Sequence, residues 1–177
     1  AVLNFGSESA NRWRLDALRD GMRELGYVEG KNYRIESRWG DNQPERLPAL
    51  ARELLQMKPD VAVGVPVLGA QAFYNESKTV PIVMATGAGA MGTGMIASMA
   101  RPGGNVTGVT NQGDELTQKL FELLRDIAPR AKRIVAISSG RSLVETSVWS
   151  AARAAARAYG VTLLELHVAS AMEARKL

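Results

Sequence analysis

A glycine-rich segment late in the first half of the chain has the spacing of a nucleotide-binding loop. Gly87, Gly89 and Gly92 match G-x-G-x-x-G, a pattern that lets a backbone approach a pyrophosphate. That fingerprint belongs to the first strand–turn–helix unit and needs an acidic residue about 20 positions later. Here the segment follows the fourth predicted strand, and the next acids, Asp114 and Glu115, lie past the fifth. We therefore favour a tight turn or a small-ligand loop and predict no cofactor.

Two polar loops could hold a charged small molecule. Ser7, Glu8 and Ser9 place two hydroxyls and a carboxylate ahead of a predicted helix, which suits a carboxylate or ammonium group. Capping of that helix by Ser7 or Ser9 is compatible with the same position. The segment 138–142 is a similar loop, in which Arg141 either pairs with a ligand carboxylate or stays exposed and mobile.

The aromatic residues and the single histidine give weaker signals. Trp39, at the exit of the second predicted strand, has the best position for a ligand wall, whereas Trp149 lies within a predicted helix and should be structural. Trp13 could stack on a ligand or pack in the core. His167, in a late strand, should be a partly buried residue with a hydrogen-bond partner. One histidine and no cysteine exclude most metal centres and Ser-His relays, so we predict no metal and no enzyme.

Charge and hydropathy favour neither nucleic acid nor a membrane as a partner. The 177 residues carry 22 Lys and Arg against 18 Asp and Glu, with a net charge of +4. The basic residues are interleaved with acids, as on an ordinary solvated surface. No apolar run approaches the roughly 20 residues of a membrane span. Because the chain starts directly on the strand-like segment 1–5, we expect that a leader is not present in it.

Apolar spacing alternates between short buried runs and helical periodicity, which predicts an α/β fold. Five predicted strands alternate with helices and should form one parallel sheet with its ligand-facing loops at the carboxyl ends, at 1–5, 33–39, 61–65, 80–85 and 105–109. A second series, with strands at 133–137 and 162–167, is too short to close a sheet. We expect a Rossmann-like lobe at 1–111 and an incomplete second lobe at 112–177.

Several stretches resemble a known family. They are LRDGMRELGYVEGKN at 18–32, IESRW at 35–39, ERLPALA at 45–51, VPIV at 80–83, GTG at 92–94 and SMARPGGNVTG at 98–108. The last is quite specific, because a generic α/β protein has no reason to carry it between two strands. Together they resemble the ABC transporter substrate-binding proteins of the tryptophan/tyrosine-binding type.

The resemblance implies a type I periplasmic-binding fold of two three-layer, Rossmann-like lobes. Such lobes close by a hinge on a small ligand, often an aromatic amino acid, and present it to a membrane permease outside the cytoplasm, in the periplasm or its equivalent. Position in the family pattern assigns ligand contacts to four loops, namely Ser7, Glu8 and Ser9; Pro66 and Val67; Thr86, Gly87 and Ala88; and Ser139, Gly140 and Arg141.

Three alternatives stay open at this point. A nucleotide-dependent Rossmann-type enzyme would use the segment 87–92. The effector-binding domain of a transcriptional regulator would use the same fold without transport. A homodimer through the second series is a further expectation, because an incomplete sheet exposes an edge that a second copy can cover.

Overall fold

Strands and helices alternate through residues 1–86, 90–110, 113–138 and 144–168, which a computed structural model describes. Two units make up the chain, Ala1–Thr110 and Asn111–Leu177. The elements of the first unit are β1 Val2–Asn4, α1 Glu8–Glu24, β2 Ser37–Trp39, the 3-10 turn Pro44–Arg46, α2 Leu47–Gln56, β3 Ala62–Val65, α3 Val67–Glu76, β4 Ile82–Met84, the 3-10 turn Ala90–Thr93 and β5 Val106–Gly108. Those of the second are α4 Gly113–Ile127, β6 Arg133–Ser138, α5 Val144–Ala158 and β7 Thr162–His167.

The first unit holds the predicted parallel sheet. Its five strands lie in the order β2-β1-β3-β4-β5, and all neighbours run parallel. β3 is central, as its uninterrupted apolar sequence predicted. β2 is at the edge, as its charged alternation predicted, but it is shorter than expected because Tyr33 makes only an isolated bridge with Glu29. All the carboxyl ends share one edge of the sheet, which confirms the α/β fold class.

One face of this sheet packs tightly against α2 and α3. Leu3, Ala62 and Ile82 on that face are fully buried. The approach of α3 is close: a Cβ at Gly64 would lie 2.0 Å from the amide nitrogen of Ala70. A glycine is therefore required where the strand meets the helix, and this contact sets where the chain emerges after β3.

The opposite face packs against α1. Leu15 of α1 is buried on Val2 and Val65, and the partly buried Trp39 packs against the same cluster. The apolar residues at positions 15, 18 and 22 of the helix follow the predicted stripe, and α1 gives way to Gly26 at a φ of +85°. α1 lies over the β2 side of the sheet, which leaves Val63 and Val83 only partly covered.

The motif that carried the family resemblance has a structural role around β5. Asn105 donates its side-chain amide to the carbonyl oxygens of Ser77 at 3.2 Å and Val80 at 2.8 Å. Gly108 has a φ of +145°, and a Cβ there would lie 2.1 Å from the carbonyl oxygen of Met84. The asparagine thus ties the loop before β4 to β5, and the glycine allows β5 to end against β4.

The second unit pairs β6 with β7 in a two-stranded parallel sheet. The bounds of β7 match the predicted strand. Phe121 of α4 and Trp149, Ala152 and Ala156 of α5 form its core, so Trp149, 8% exposed, is structural as predicted. The other face of the sheet exposes apolar side chains, at Val135, Ile137, Leu164 and Leu166. The helix predicted at 170–177 lies outside the described residues.

Candidate ligand-binding site

The carboxyl edge of the first sheet is held in place by backbone hydrogen bonds between its loops. The amide of Gly40 donates to Asn4 at 2.7 Å, that of Phe5 donates to Val65 at 2.8 Å, and Asn42 donates to Phe5 at 2.9 Å. These bonds join the loops that follow β1, β2 and β3. The predicted polar residues therefore stand on loops whose backbones are hydrogen-bonded to one another.

Ser7, Glu8 and Ser9 lie together at this edge, at the start of α1. Ser7 occupies the N-cap position with an extended backbone, but its hydroxyl makes no capping bond and lies 3.3 Å from the hydroxyl of Ser9. Ser7 therefore does not use the capping role considered for it, and its hydroxyl bonds that of Ser9 instead. The Glu8 carboxylate forms an exposed ion pair with Arg12 at 3.3 Å, which partly neutralises it.

The loops after β3 and β4 place their predicted residues differently. Pro66 is partly buried ahead of α3, and Thr86 is partly exposed after β4. The side chain of Val67 is 2% exposed in the first turn of α3, so it belongs to the core and only its backbone could meet a ligand. Gly87 and Ala88, together with Gly89, lie outside the described residues.

Trp39 packs at the edge of the first sheet and is not in the lining of the cavity described below. It pairs in register with Asn4 at the edge of the sheet, and its ring packs against the cluster of Val2, Leu15 and Val65. Its predicted contact with a ligand stays a prediction; in the structure the partly buried indole fills space between α1 and the edge strand. Packed beside the three-residue strand β2, the Trp39 ring buries more apolar surface than it would if it faced solvent.

A cavity of about 340 Å³ lies between α1 and the partly covered face of the sheet. Its lining is mostly apolar and comes from α1, β1, β3 and the end of β4, namely Val2, Asn4, Trp13, Arg14, Leu15, Ala17, Leu18, Val63, Val65, Ala85 and Thr86. Thr86 is the one predicted site residue in this lining. The volume is at the lower end of the roughly 300–1,000 Å³ typical of small-molecule pockets.

Three side chains of this cavity were not assigned to a site by sequence. Trp13 is 63% exposed, so it is not a core residue. Asn4 is 2% exposed, and Arg14 stacks on Trp13 with 5.1 Å between the guanidinium carbon and the ring centre. A signal for Asn4 was present in the sequence, since it is the single polar residue of the apolar run 1–5.

The second unit brings Ser138 and His167 together at the carboxyl ends of β6 and β7. The Ser138 hydroxyl lies 2.9 Å from Nδ1 of His167, and the imidazole meets Trp149 edge-on at 5.4 Å. His167 has the expected hydrogen-bond partner but is exposed rather than partly buried. The predicted contacts Ser139, Gly140 and Arg141 follow directly and lie outside the described residues.

Shifted pKa values among the described side chains belong to surface ion pairs away from the cavity. Hydrogen bonds from Arg19, Arg38 and Arg153 hold the carboxyl pKa values of their partners below the ordinary range, at Glu29, Glu53 and Glu165. None of these six side chains lines the cavity. The described ranges also hold no group of three or more potential metal ligands, and no helix within them is long and apolar enough to span a membrane.

The fold and this edge of the sheet define a class of protein. The family model for ABC transporter substrate binding proteins matches residues 1–176, and the chain belongs to that family. Its fold is that of the type I periplasmic-binding proteins. Members of the family bind substrates and are not enzymes, which sets aside the nucleotide-dependent enzyme.

Particular relatives agree with this assignment. A tyrosine-binding protein of Clostridioides difficile is 31% identical over 125 residues, which are 68% of this chain and 35% of that protein. A conserved domain protein from Vibrio cholerae superposes with a TM-score of 0.81 at 26% identity, covering 99% of this chain and 58% of that one. An ABC domain from Streptococcus pneumoniae in complex with L-Trp gives 0.77 at 25%, over 96% and 56%. The chain thus spans little more than half of these structures.

Proposed function

We propose that this protein is the solute receptor of an ABC importer and binds a small organic molecule at the carboxyl edge of its first sheet. The observation that carries the proposal is the cavity that opens beside Thr86, on a backbone ordered by loop-to-loop hydrogen bonds. Parallel α/β sheets bind ligands at this edge, where the loops converge. Membership of the substrate-binding family supports the same function.

Aromatic amino acids are the first ligands to test, because a tyrosine-binding protein and a complex with L-Trp are among the relatives. In this proposal Ser7, Ser9 and Thr86 contribute hydroxyls from the first unit, and Glu8 a carboxylate. Ser139, Gly140 and Arg141 remain proposed contacts from the second unit; in the sequence they follow Ser138, which bonds His167. Trp39 and Val67 would act by packing behind the site.

The receptor would deliver its solute to a membrane permease and would therefore work in the periplasm or an equivalent extracytoplasmic space. Closure on the ligand would follow from a higher affinity of the solute for a closed arrangement of the two units than for an open one. Ligand binding should then reduce the radius of gyration in small-angle X-ray scattering. A homodimer through the apolar face of β6 and β7 remains a prediction, to be checked by light scattering.

Calorimetric titration of the protein with L-tyrosine, L-tryptophan and glycine tests the receptor function. We expect saturable binding of an aromatic amino acid and none of glycine. Thr86→Val should weaken that binding about 10-fold, because it removes one hydrogen bond between the Thr86 hydroxyl and the ligand. The matched control is Thr79→Val, because Thr79 is an exposed threonine before β4, at the other end of the same strand. No saturable binding of any amino acid or of any small organic acid would refute the receptor.

A further inference from the structure

The loop that carries Ser7 is held through each of its main-chain carbonyl oxygens. Those of residues 4, 5 and 6 accept hydrogen bonds from the amides of residues 40, 42 and 41, at 2.7, 2.9 and 3.3 Å respectively. That of Ser7 accepts from the side-chain amide of Asn11 at 3.0 Å. Three of these four donors are successive amides of one segment, Gly40, Asp41 and Asn42, which follows β2. The loop after β2 therefore fixes the loop after β1.

Two residues of this second loop have a left-handed backbone. The φ angles of Asp41 and Asn42 are +52° and +59°. In an extended strand successive amides point to opposite sides, whereas here the left-handed curl turns all three amides of residues 40–42 toward the same neighbour. L-residues other than glycine disfavour such a backbone, and aspartate and asparagine tolerate it best. We call residues 40–42 the brace.

The brace is packed closely on both of its sides. Gly40 is buried, and a Cβ there would lie 2.9 Å from the carbonyl oxygen of Phe5 and 2.9 Å from Cδ2 of Leu47. Asp41 forms an ion pair with Arg46 in the 3-10 turn ahead of α2. All of these contacts are formed within the first unit. The brace is thus held between the Ser7 loop and the start of α2.

The strain in the brace is not offset by burial of its side chains. Those of Asp41 and Asn42 are exposed, so neither residue packs in the core. What the left-handed backbone achieves is the row of hydrogen bonds to the loop after β1. Strained backbone of this kind persists where the surrounding structure enforces it, and it is concentrated at ligand-binding and switch regions. The brace lies at the carboxyl edge of the sheet, where parallel α/β folds bind ligands.

We propose that the brace positions Ser7 and Ser9 to bind an aromatic amino acid, and that Asn42 is a positioning residue of the receptor. A ligand that meets a mobile loop loses affinity because it must order that loop, whereas the brace has ordered it when the chain folds. Apparent affinity falls in proportion to the fraction of molecules that have the loop in place. The inference rests on the proposed function, since it needs a solute that contacts residues 7–9.

The test compares substitutions of Asn42 in calorimetric titrations with L-tyrosine and L-tryptophan. Asn42→Val puts a β-branched residue at a left-handed position, where it is least tolerated, and should weaken binding roughly 5-fold to 30-fold. Asn42→Gly keeps the amide and adopts the same backbone without strain, so it should leave the affinity within about twofold. Asn42→Ala should fall between the two, because alanine is less strained there than valine.

Lys58→Val is the matched control. Lys58 has a φ of +53° between α2 and β3, at the edge of the sheet where the strands begin, so valine introduces the same kind of strain far from the Ser7 loop. Both valine variants should lower the melting temperature by a few degrees, but only Asn42→Val should weaken binding. In nitrogen-15 NMR spectra the amide signals of Ser7 and Ser9 should shift in Asn42→Val and stay in place in Lys58→Val.

The outcomes separate this inference from the receptor function. Equal weakening of binding in Lys58→Val would mean that affinity follows overall stability, which overturns the inference. A loss in Asn42→Gly as large as that in Asn42→Val also overturns it, because the Asn42 side chain would then be the contact. Unchanged affinity in Asn42→Val would overturn it and leave the receptor intact. Failure of the unchanged protein to bind either amino acid would overturn it as well, and failure to bind any small organic acid would refute the receptor itself.

Discussion

Replacing Gly64 with alanine should destabilise the first unit by about 3 kcal/mol, the upper end of the cost of overpacking. The added Cβ would lie 2.0 Å from the nitrogen and 2.4 Å from the Cα of Ala70, whereas an ordinary contact begins near 3.4 Å. Both atoms are backbone, so no side chain can turn away and α3 must move by more than 1 Å, on the order of a bond length. The shift would also displace Pro66, and with it the edge of the ligand site.

Gly21→Ala is the matched control, since it makes the same chemical change with the opposite expected sign. A Cβ at Gly21 meets nothing within 4 Å, and the residue lies inside α1. Alanine in a helix is favoured over glycine by about 0.5–1 kcal/mol, so Gly21→Ala should be more stable than the unchanged protein.

Native-state amide exchange measures both effects in the first unit alone. The amide of Ile82 is buried in β4 and bonds the carbonyl oxygen of Asn105 at 2.7 Å, so its exchange reports opening of the sheet. A loss of less than about 0.5 kcal/mol in Gly64→Ala, which is the range of an ordinary surface substitution, would refute the close packing of α3 on β3. A change of the same sign in the free energy of opening of both variants would refute the reasoning as well.

Two further predictions concern loops and ion pairs of the first unit. Asn105→Ala should cost about 2 kcal/mol, because it removes the bonds to Ser77 and Val80; thermal unfolding measures this, and a change below about 0.5 kcal/mol contradicts it. The hydrogen bond from Arg38 lowers the pKa of the Glu53 carboxyl in the folded state. The stability that this pair gives the folded protein is therefore fully present above the pKa of the unfolded state and is lost as pH falls below about 4. Glu53→Gln should flatten the fall in urea midpoint over that range; an unchanged pH profile would show that the pair does not contribute.

Much of the first unit could be predicted because its signals are local. The stripe of α1, the apolar run of β3 and the charged alternation of β2 each follow from spacing within a few residues. The bounds were less predictable, as at β2, because pairing with β1 decides where a strand starts. The polar loops at 7–9 and 86 were proposed as ligand contacts from the rule that ligands bind at the carboxyl edge, which needs only the order of the strands.

The cavity itself could not be predicted in this way. Its walls come from residues up to 84 positions apart, Val2 to Thr86. Trp39 and Trp13 show the difficulty, since sequence favoured the first as a ligand wall, whereas the structure packs it and exposes the second. Which indole is covered depends on where α1 crosses the sheet, and that is a tertiary property.

By itself the sequence determined the alternation of strands and helices, the family, and the edge at which ligands would be met, because periodicity, glycine positions and a specific motif are local features of the chain. Only the tertiary structure decided that the Asn4 side chain is buried, and that Arg12 is paired with a carboxylate whereas Arg14, among the described residues, is not. The physical reason is that a side chain's partners are supplied by whichever elements pack around it. Hydrogen bonding and desolvation are therefore fixed only after the chain has folded.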